Sequence, residues 1–398
     1  MAAITLILAG AQRRVPEVYT MSVSAVILGF AMGWPATRVL PTFATSAVSL
    51  DTLELAASVG LIKVLGETMQ KYGLLDSMAT SLRRILRSAS LAIMAVPALL
   101  GSLAVFGGAF LSAPLVDRVG DSLRFSPVRK AAVNVIFRHA VFFVFPFSTT
   151  LLLTAKLAGV SAFDIVKIVW PLTVIMAFTG YLRLIRNSKS SSEPPAAPLK
   201  DSLVEFLRSA SPIILALLLA TVFSVRLAIA LVAGILLGLL LARGREGFDV
   251  RAMGAFVDWN LMGMVVAVMV LKAFISEMSL VRSGTAALTA AGVPLEVVAS
   301  LAMLLFGFAS GTIQAAVAIG LSILTSLSEP YAQRVLAASF AYVISFVAYL
   351  VSPLHLCLVL TDRHFDVEPG PVYRECWPVP VVTTAAWIAM YLVYKVWL

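Results

Sequence analysis

Charge is what this sequence has least of. Of 398 residues only 13% are Asp, Glu, Lys or Arg, while 60% are hydrophobic; a soluble domain carries about 25% charged residues. Such a chain cannot cover a water-facing surface, which excludes soluble enzymes, nucleic-acid modules and disordered scaffolds together. It reads as a membrane protein whose partner is the lipid bilayer, with no nucleic acid. Cysteine is nearly missing too. Cys357 and Cys376 cannot build a disulfide framework, and their spacing matches no zinc or haem motif, so both read as small apolar filler. HExxH, GxSxG and an aspartyl pair are also absent, so hydrolysis lacks its parts and the chain is not expected to be an enzyme. No cofactor or resident metal is expected.

What is present is a series of apolar windows between charge clusters. Windows of about 20 residues, the length of a straight span, fall at 1–11, 18–33, 51–69, 131–155, 164–182, 209–224, 227–242, 254–276, 333–361 and 378–397. That predicts an all-α protein of about ten transmembrane helices. The first window is short and is followed by Arg13 and Arg14, the wrong polarity for a signal peptide; it is a truncated or tilted helix, or the true start lies upstream. Two further stretches, 90–117 and 296–326, are too long for one helix and rich in glycine and small residues in the middle. Each is expected to be a re-entrant hairpin with its tip at mid-membrane.

The only long polar stretch, from Asn187 to Leu203, is rich in Ser and Pro and sits at the centre of the chain. It reads as a linker between two halves. Basic residues orient the whole, because cytoplasmic loops carry the excess. Arg83, Arg84, Arg87, Arg124, Arg129, Lys130, the linker, Arg243 and Arg251 fall on one side, and only Arg38, Lys156, Arg226, Arg282 and Arg334 on the other. This holds only if 90–117 enters and leaves on the cytoplasmic side and 296–326 on the opposite side. The linker is therefore cytoplasmic, and the protein an inner-membrane, multi-pass one.

The halves also align. Phe106 to Pro114 (FGGAFLSAP) lies against Phe306 to Gln314 (FGFASGTIQ), and Pro146 to Thr154 (PFSTTLLLT) against Pro353 to Thr361 (PLHLCLVLT). With the charge inversion this predicts an inverted-topology repeat of the kind common in transporters. The expected organisation is N-terminal scaffold helices in 1–50, repeat 1 in 51–186, the linker in 187–208, scaffold helices in 209–253 and repeat 2 in 254–398. Pro146 and Pro353 each lack a donor and clash with the preceding turn, so 131–155 and 333–361 are expected to be broken helices. Unwound backbone at membrane depth is tolerated only where it is buried or lines a wet cavity.

The site is expected at these breaks and hairpin tips. The predicted substrate contacts are Gly107, Gly108 and Ser112 in the first hairpin and Gly311, Thr312 and Gln314 in the second. From the breaks come Ser148, Thr149 and Thr150, with Ser352 and His355. Helix N-termini suit an oxyanion and freed carbonyls suit Na⁺. Neither hairpin core nor broken-helix core holds Asp or Glu, which argues against a cation or proton antiporter and for a small anionic substrate. Arg138 could reach that anion or snorkel to the cytoplasm. Lys63 with Glu67, and Lys272 with Glu277, read as helix-end pairs, and Asn134 as a substrate contact or a cap.

SPLHLCLVLT, FGGAFLSAP and the paired halves resemble an uncharacterised family of prokaryotic integral membrane proteins, known as a domain of unknown function. That family is grouped with the ion transporter superfamily of gluconate permeases, dicarboxylate carriers, arsenite pumps and Na⁺/H⁺ antiporters. The resemblance runs from about Glu54 to Trp397. It implies scaffold and transport domains, a homodimer and elevator motion, with site positions at Gly107 to Ser112, Gly311 to Gln314, Pro146 to Thr150 and Ser352 to His355. The Ser-Asn-Thr hairpin motif of Na⁺-coupled dicarboxylate carriers is absent from both hairpins. The function expected is a secondary transporter of a small organic anion coupled to Na⁺ or H⁺. The alternatives are a Na⁺/H⁺ antiporter and a translocase of a polyprenyl phosphate or phospholipid.

Overall fold

The computed structural model describes residues 17–101, 108–186, 188, 198–243, 254–276, 292–324 and 330–397. Among these the chain forms nineteen α-helices and no strand. The first half holds α1 (Glu17–Ala31), α2 (Ala36–Ala47), α3 (Leu50–Lys71), α4 (Leu74–Leu86), α5 (Ala89–Gly101), α6 (Gly108–Ser122), α7 (Pro127–Ala140), α8 (Thr149–Ala158), α9 (Ala162–Val169) and α10 (Pro171–Gly180). The second holds α11 (Leu199–Thr221), α12 (Leu227–Ala242), α13 (Trp259–Ser276), α14 (Leu295–Ser310), α15 (Ile313–Leu324), α16 (Tyr331–Leu350), α17 (Leu356–Phe365), α18 (Pro369–Cys376) and α19 (Pro378–Trp397).

Three of these helices, α11, α16 and α19, are each long and apolar enough to cross a membrane. The expectation of about ten straight spans is too simple, for two physical reasons. Helices α1 and α12 have only 15 and 16 residues, about 23 Å at 1.5 Å per residue, and α3 carries Asp51, Glu54, Lys63, Glu67 and Lys71 along its 22 residues. The window 164–182 is also no straight helix. Its two parts meet at 47° because Pro171 opens α10, where its missing N–H costs nothing but where a continuous helix would need that donor. The linker is shorter than expected: α11 begins at Leu199, so 199–208 is helical, while 187 and 189–197 lie outside the described residues.

Large apolar side chains crowd the outside. Phe178, Leu218, Leu236, Leu240, Leu301, Leu305, Leu392 and Val393 are all exposed, and α12 (LAIALVAGILLGLLLA) has no polar side chain at all. Surface of this kind needs lipid rather than water, so this is a membrane protein.

Neither 90–117 nor 296–326 is one helix. The first is α5 packed on α6, with 102–107 outside the described residues; the second is α14 packed on α15, joined at Gly311 and Thr312. At the centre lie α7 and α16, buried from Lys130 to Ala140 and over most of Val335 to Leu350. They are enclosed along these runs while carrying Asn134, Arg138, His139, Ser339 and Ser345, so polar groups here are oriented by protein, not by lipid. Hairpin α5–α6 packs on α7, and α14–α15 packs on α16. Beyond the breaks the chain crosses over: α8 packs on α15 and α16, and α17 on α6 and α7. Each half thus supplies the second part of its broken helix to the other.

Candidate functional site

Both breaks are the same local structure. At the first, the Ser148 N–H donates to the Phe145 carbonyl at 3.2 Å; at the second, the His355 N–H donates to the Ser352 carbonyl at 3.2 Å. Proline therefore occupies the second place of a hydrogen-bonded four-residue turn in each case, Phe145-Pro146-Phe147-Ser148 and Ser352-Pro353-Leu354-His355, the place its fixed φ suits. The fourth residue of each turn, Ser148 or His355, is the N-cap of the helix that follows.

Carbonyls released by the breaks are satisfied by the protein. Thr173 Oγ1 donates to the Ala140 carbonyl at 2.8 Å, and Tyr342 Oη to the Phe142 carbonyl at 2.8 Å. Ser352 Oγ donates to the Phe308 carbonyl at 2.6 Å and accepts the Leu354 N–H at 3.2 Å, tying the second hairpin to the second break. Freed backbone here is consumed structurally, as burial demands.

Between the breaks and the second hairpin tip lies a cavity of about 220 Å³, smaller than the roughly 300–1,000 Å³ of usual ligand pockets. Ser148, Thr149 and Thr150 line it from the start of α8, and Thr312, Ile313 and Gln314 from the start of α15. Arg138, Tyr349, Cys357, Phe142, Phe145, Gly101 and Gly311 complete the wall. The Ser148 side chain makes no cap hydrogen bond to α8, whose first residues line the cavity. Two helix N-termini and the guanidinium of Arg138, 4% exposed, give the cavity a positive field. Among the described residues no carboxylate lines it.

Of the residues expected at the site, Arg138, Ser148, Thr149, Thr150, Gly311, Thr312 and Gln314 meet at this cavity. Ser112, Ser352 and His355 are fully buried but are not on its wall. Gly107 lies outside the described residues, and Gly108 opens α6. Pro146 and Pro353 hold the turns. Asn134 is neither at the cavity nor a cap: buried in α7, it donates from Nδ2 to Thr361 Oγ1 at 2.9 Å and joins the halves. Lys63 pairs with Glu67 at 3.1 Å, and Glu277 lies outside the described residues.

One cluster escaped sequence reasoning. His139 at the end of α7, His355 at the second break and Cys357 in the first turn of α17 bring their ligand atoms within 4.8 Å of one another. The two Nε2 atoms are 3.1 Å apart. Tyr349 Oη stands 3.5 Å from His139 Nε2 and 3.8 Å from Cys357 Sγ. Cys357, taken from the sequence as filler, is on the cavity wall. His139 and His355 are 216 residues apart, and no spacing rule links them.

Asp362 is the one buried carboxylate among the described residues, 5% exposed, and neither oxygen has a hydrogen-bond partner. It sits in the last turn of α17, beside Arg363 and His364.

The profile of a family described as "Protein of unknown function (DUF401)" matches residues 8–396. No curated protein sequence matches the chain. Among solved structures the chain is similar to the YdaH transporter of Alcanivorax borkumensis, with a TM-score of 0.60 and 17% identity over 90% of this chain and 86% of that one. It is also similar to Neisseria gonorrhoeae MtrF, described within a class of antimetabolite efflux pumps, with a TM-score of 0.53 and 14% identity over 89% of this chain and 82% of that one. At these identities the likeness is one of fold.

Proposed function

We propose that this chain, which belongs to the DUF401 family, is a secondary transporter of a small organic anion. The observation that carries this reading is the cavity at the crossing of the breaks, bounded by Arg138 and by the N-termini of α8 and α15, with no carboxylate among the described residues of its wall. Such a wall suits a carboxylate or similar oxyanion, and its small volume suits a small one. The solved neighbours, one a transporter and one in a class of efflux pumps, support transport as the use of this fold. The matching turns at Pro146 and Pro353 and the crossed packing of α8 and α17 support an inverted repeat. We read the hairpins and broken helices as the moving unit of an elevator. Helices α1, α2, α11 and α12 form the scaffold, in a homodimer in the inner membrane with its central linker cytoplasmic.

Na⁺ or H⁺ is the coupling ion in this reading. A Na⁺/H⁺ antiporter would need an acid at the cavity, and Glu67 is engaged by Lys63 while Asp362 lies off the wall. Lipid-carrier translocation is disfavoured by a cavity too small for more than a headgroup.

The test is uptake into proteoliposomes of a panel of labelled mono- and dicarboxylates under imposed Na⁺ and pH gradients. At least one anion is expected to accumulate, and Thr149→Val is expected to slow it about tenfold, the loss of one hydrogen bond to a charged group. Flux of no anion under any gradient would overturn the reading.

A further inference from the structure

We infer that His139, His355 and Cys357 bind one thiophilic d¹⁰ cation of the Zn²⁺ class, with its fourth position open to the cavity. Tetrahedral Zn²⁺ has bonds of about 2.0–2.1 Å to nitrogen and 2.3 Å to sulfur, which puts ligand atoms about 3.3–3.6 Å apart. The two Nε2 atoms at 3.1 Å and the Sγ within 4.8 Å need only small movements to reach that arrangement.

Orientation argues the same way. His139 Nδ1 lies 2.6 Å from the Val135 carbonyl, so the proton sits on Nδ1 and the Nε2 lone pair faces His355. A backbone carbonyl holding the far nitrogen is how metal-binding imidazoles are commonly fixed. Without a cation one tautomer of His355 pairs the rings and the other does not. With its proton on Nε2, His355 donates to His139 Nε2 and only its buried Nδ1 acceptor goes unpaired; with the proton on Nδ1, two lone pairs face each other. His355 Nδ1 has no hydrogen-bond partner and the ring is fully buried. A cation between the two Nε2 atoms removes the repulsion in the second state.

The donor set selects the ion. Two imidazoles and a thiol suit Zn²⁺ or Cu⁺ and not Na⁺, Mg²⁺ or Ca²⁺, which require oxygen. Three protein ligands with room for a fourth is the pattern of exchangeable sites. The room is on the cavity side, where Cys357 and Tyr349 form the wall. A solute oxyanion or water would complete the shell there, and Tyr349 Oη is placed to hydrogen-bond it. Only this last step rests on the transport reading; the metal site does not.

The experiment uses the full chain in detergent, stripped with chelator and titrated with Zn²⁺ and with Co²⁺ as a coloured substitute. Expected are one ion per chain by elemental analysis and a tetrahedral Co²⁺ spectrum with a near-ultraviolet thiolate band. Cys357→Ser should lose that band, His355→Ala should bind at least tenfold more weakly, and Cys376→Ser, away from the cluster, should keep both. Should Cys357→Ser misfold, Zn²⁺ protection of Cys357 against maleimide in the Cys376→Ser background reads the same site. Less than one bound ion per chain, or a thiolate band that survives in Cys357→Ser, or no protection, would overturn the inference. None of these readouts needs a transported solute, so an absence of uptake would leave the metal result standing.

Discussion

Gly311→Ala is expected to be among the most damaging single-methyl additions at the described residues, lowering the thermal unfolding temperature well beyond Gly33→Ala and Gly320→Ala and abolishing solute binding. Gly311 ends α14 at φ +67°, where an L-residue costs about 1–2 kcal/mol. Its Cβ would also fall 2.7 Å from the Leu354 carbonyl oxygen and 2.8 Å from the carbonyl carbon. That obstacle is backbone, and the backbone of the second break at that, so it cannot swing aside. Two other glycines separate the causes. Gly33, at φ +75° with nothing within 4 Å of a Cβ, measures backbone strain alone. Gly320, inside α15, would meet Met303 Sδ at 2.2 Å; that side chain is flexible, and helix propensity returns about 1 kcal/mol. Melting of the three alanine variants in detergent should place Gly311→Ala far below the other two. If it equals Gly33→Ala, the hairpin tip does not press on the break as described.

That contact also marks where the sequence was readable. Proline and glycine carry backbone meaning in themselves, so Pro146, Pro353 and Gly311 could be singled out before any coordinates, and the two halves could be set against each other. The lengths of α5, α6, α14 and α15 follow from the same small-residue interruptions. What could not be read is which side chains turn inward. Ser352 and His355 lie beside Pro353 just as Ser148 and Thr149 lie beside Pro146, yet Ser352 is spent on the Phe308 carbonyl and His355 on His139, whereas Thr149 faces the cavity. Nor could the crossing of α8 and α17 be seen, since it is tertiary packing that brings residues 216 positions apart into contact. Asn134 misled for that reason: near a helix start it resembles a cap, but its partner Thr361 belongs to the other half. Apolar windows could not tell straight spans from broken ones, because a bend such as that at Pro171 leaves composition unchanged.

Arg138→Gln is expected to abolish anion binding while leaving the fold intact. Arg138 occupies the last turn of α7, where a cation is favoured by the carbonyl end of the helix, and it lines the same cavity as the starts of α8 and α15. A solute carboxylate placed between them would take charge-assisted hydrogen bonds from the guanidinium and from backbone N–H groups together, and losing the charged partner costs about 1.5–3 kcal/mol, a 10- to 150-fold loss of affinity. Arg138→Lys keeps the charge but not the planar pair of donors, so it should fall between. Geometry gives a second handle on the same group. A Cβ on Gly101 would lie 2.1 Å from the Arg138 carbonyl oxygen and 2.8 Å from its Cγ, so α5 packs against α7 only because residue 101 has no side chain. Gly101→Ala must move Arg138 without touching its charge, and is expected to weaken the anion about as much as Arg138→Lys does, while also lowering the unfolding temperature. The measurement is thermal stabilisation of each variant by whichever carboxylate stabilises the unaltered protein, with melting in the absence of solute as the control. If Arg138→Gln keeps that stabilisation, the N-termini alone hold the anion, and Arg138 serves the packing of α7 rather than the solute.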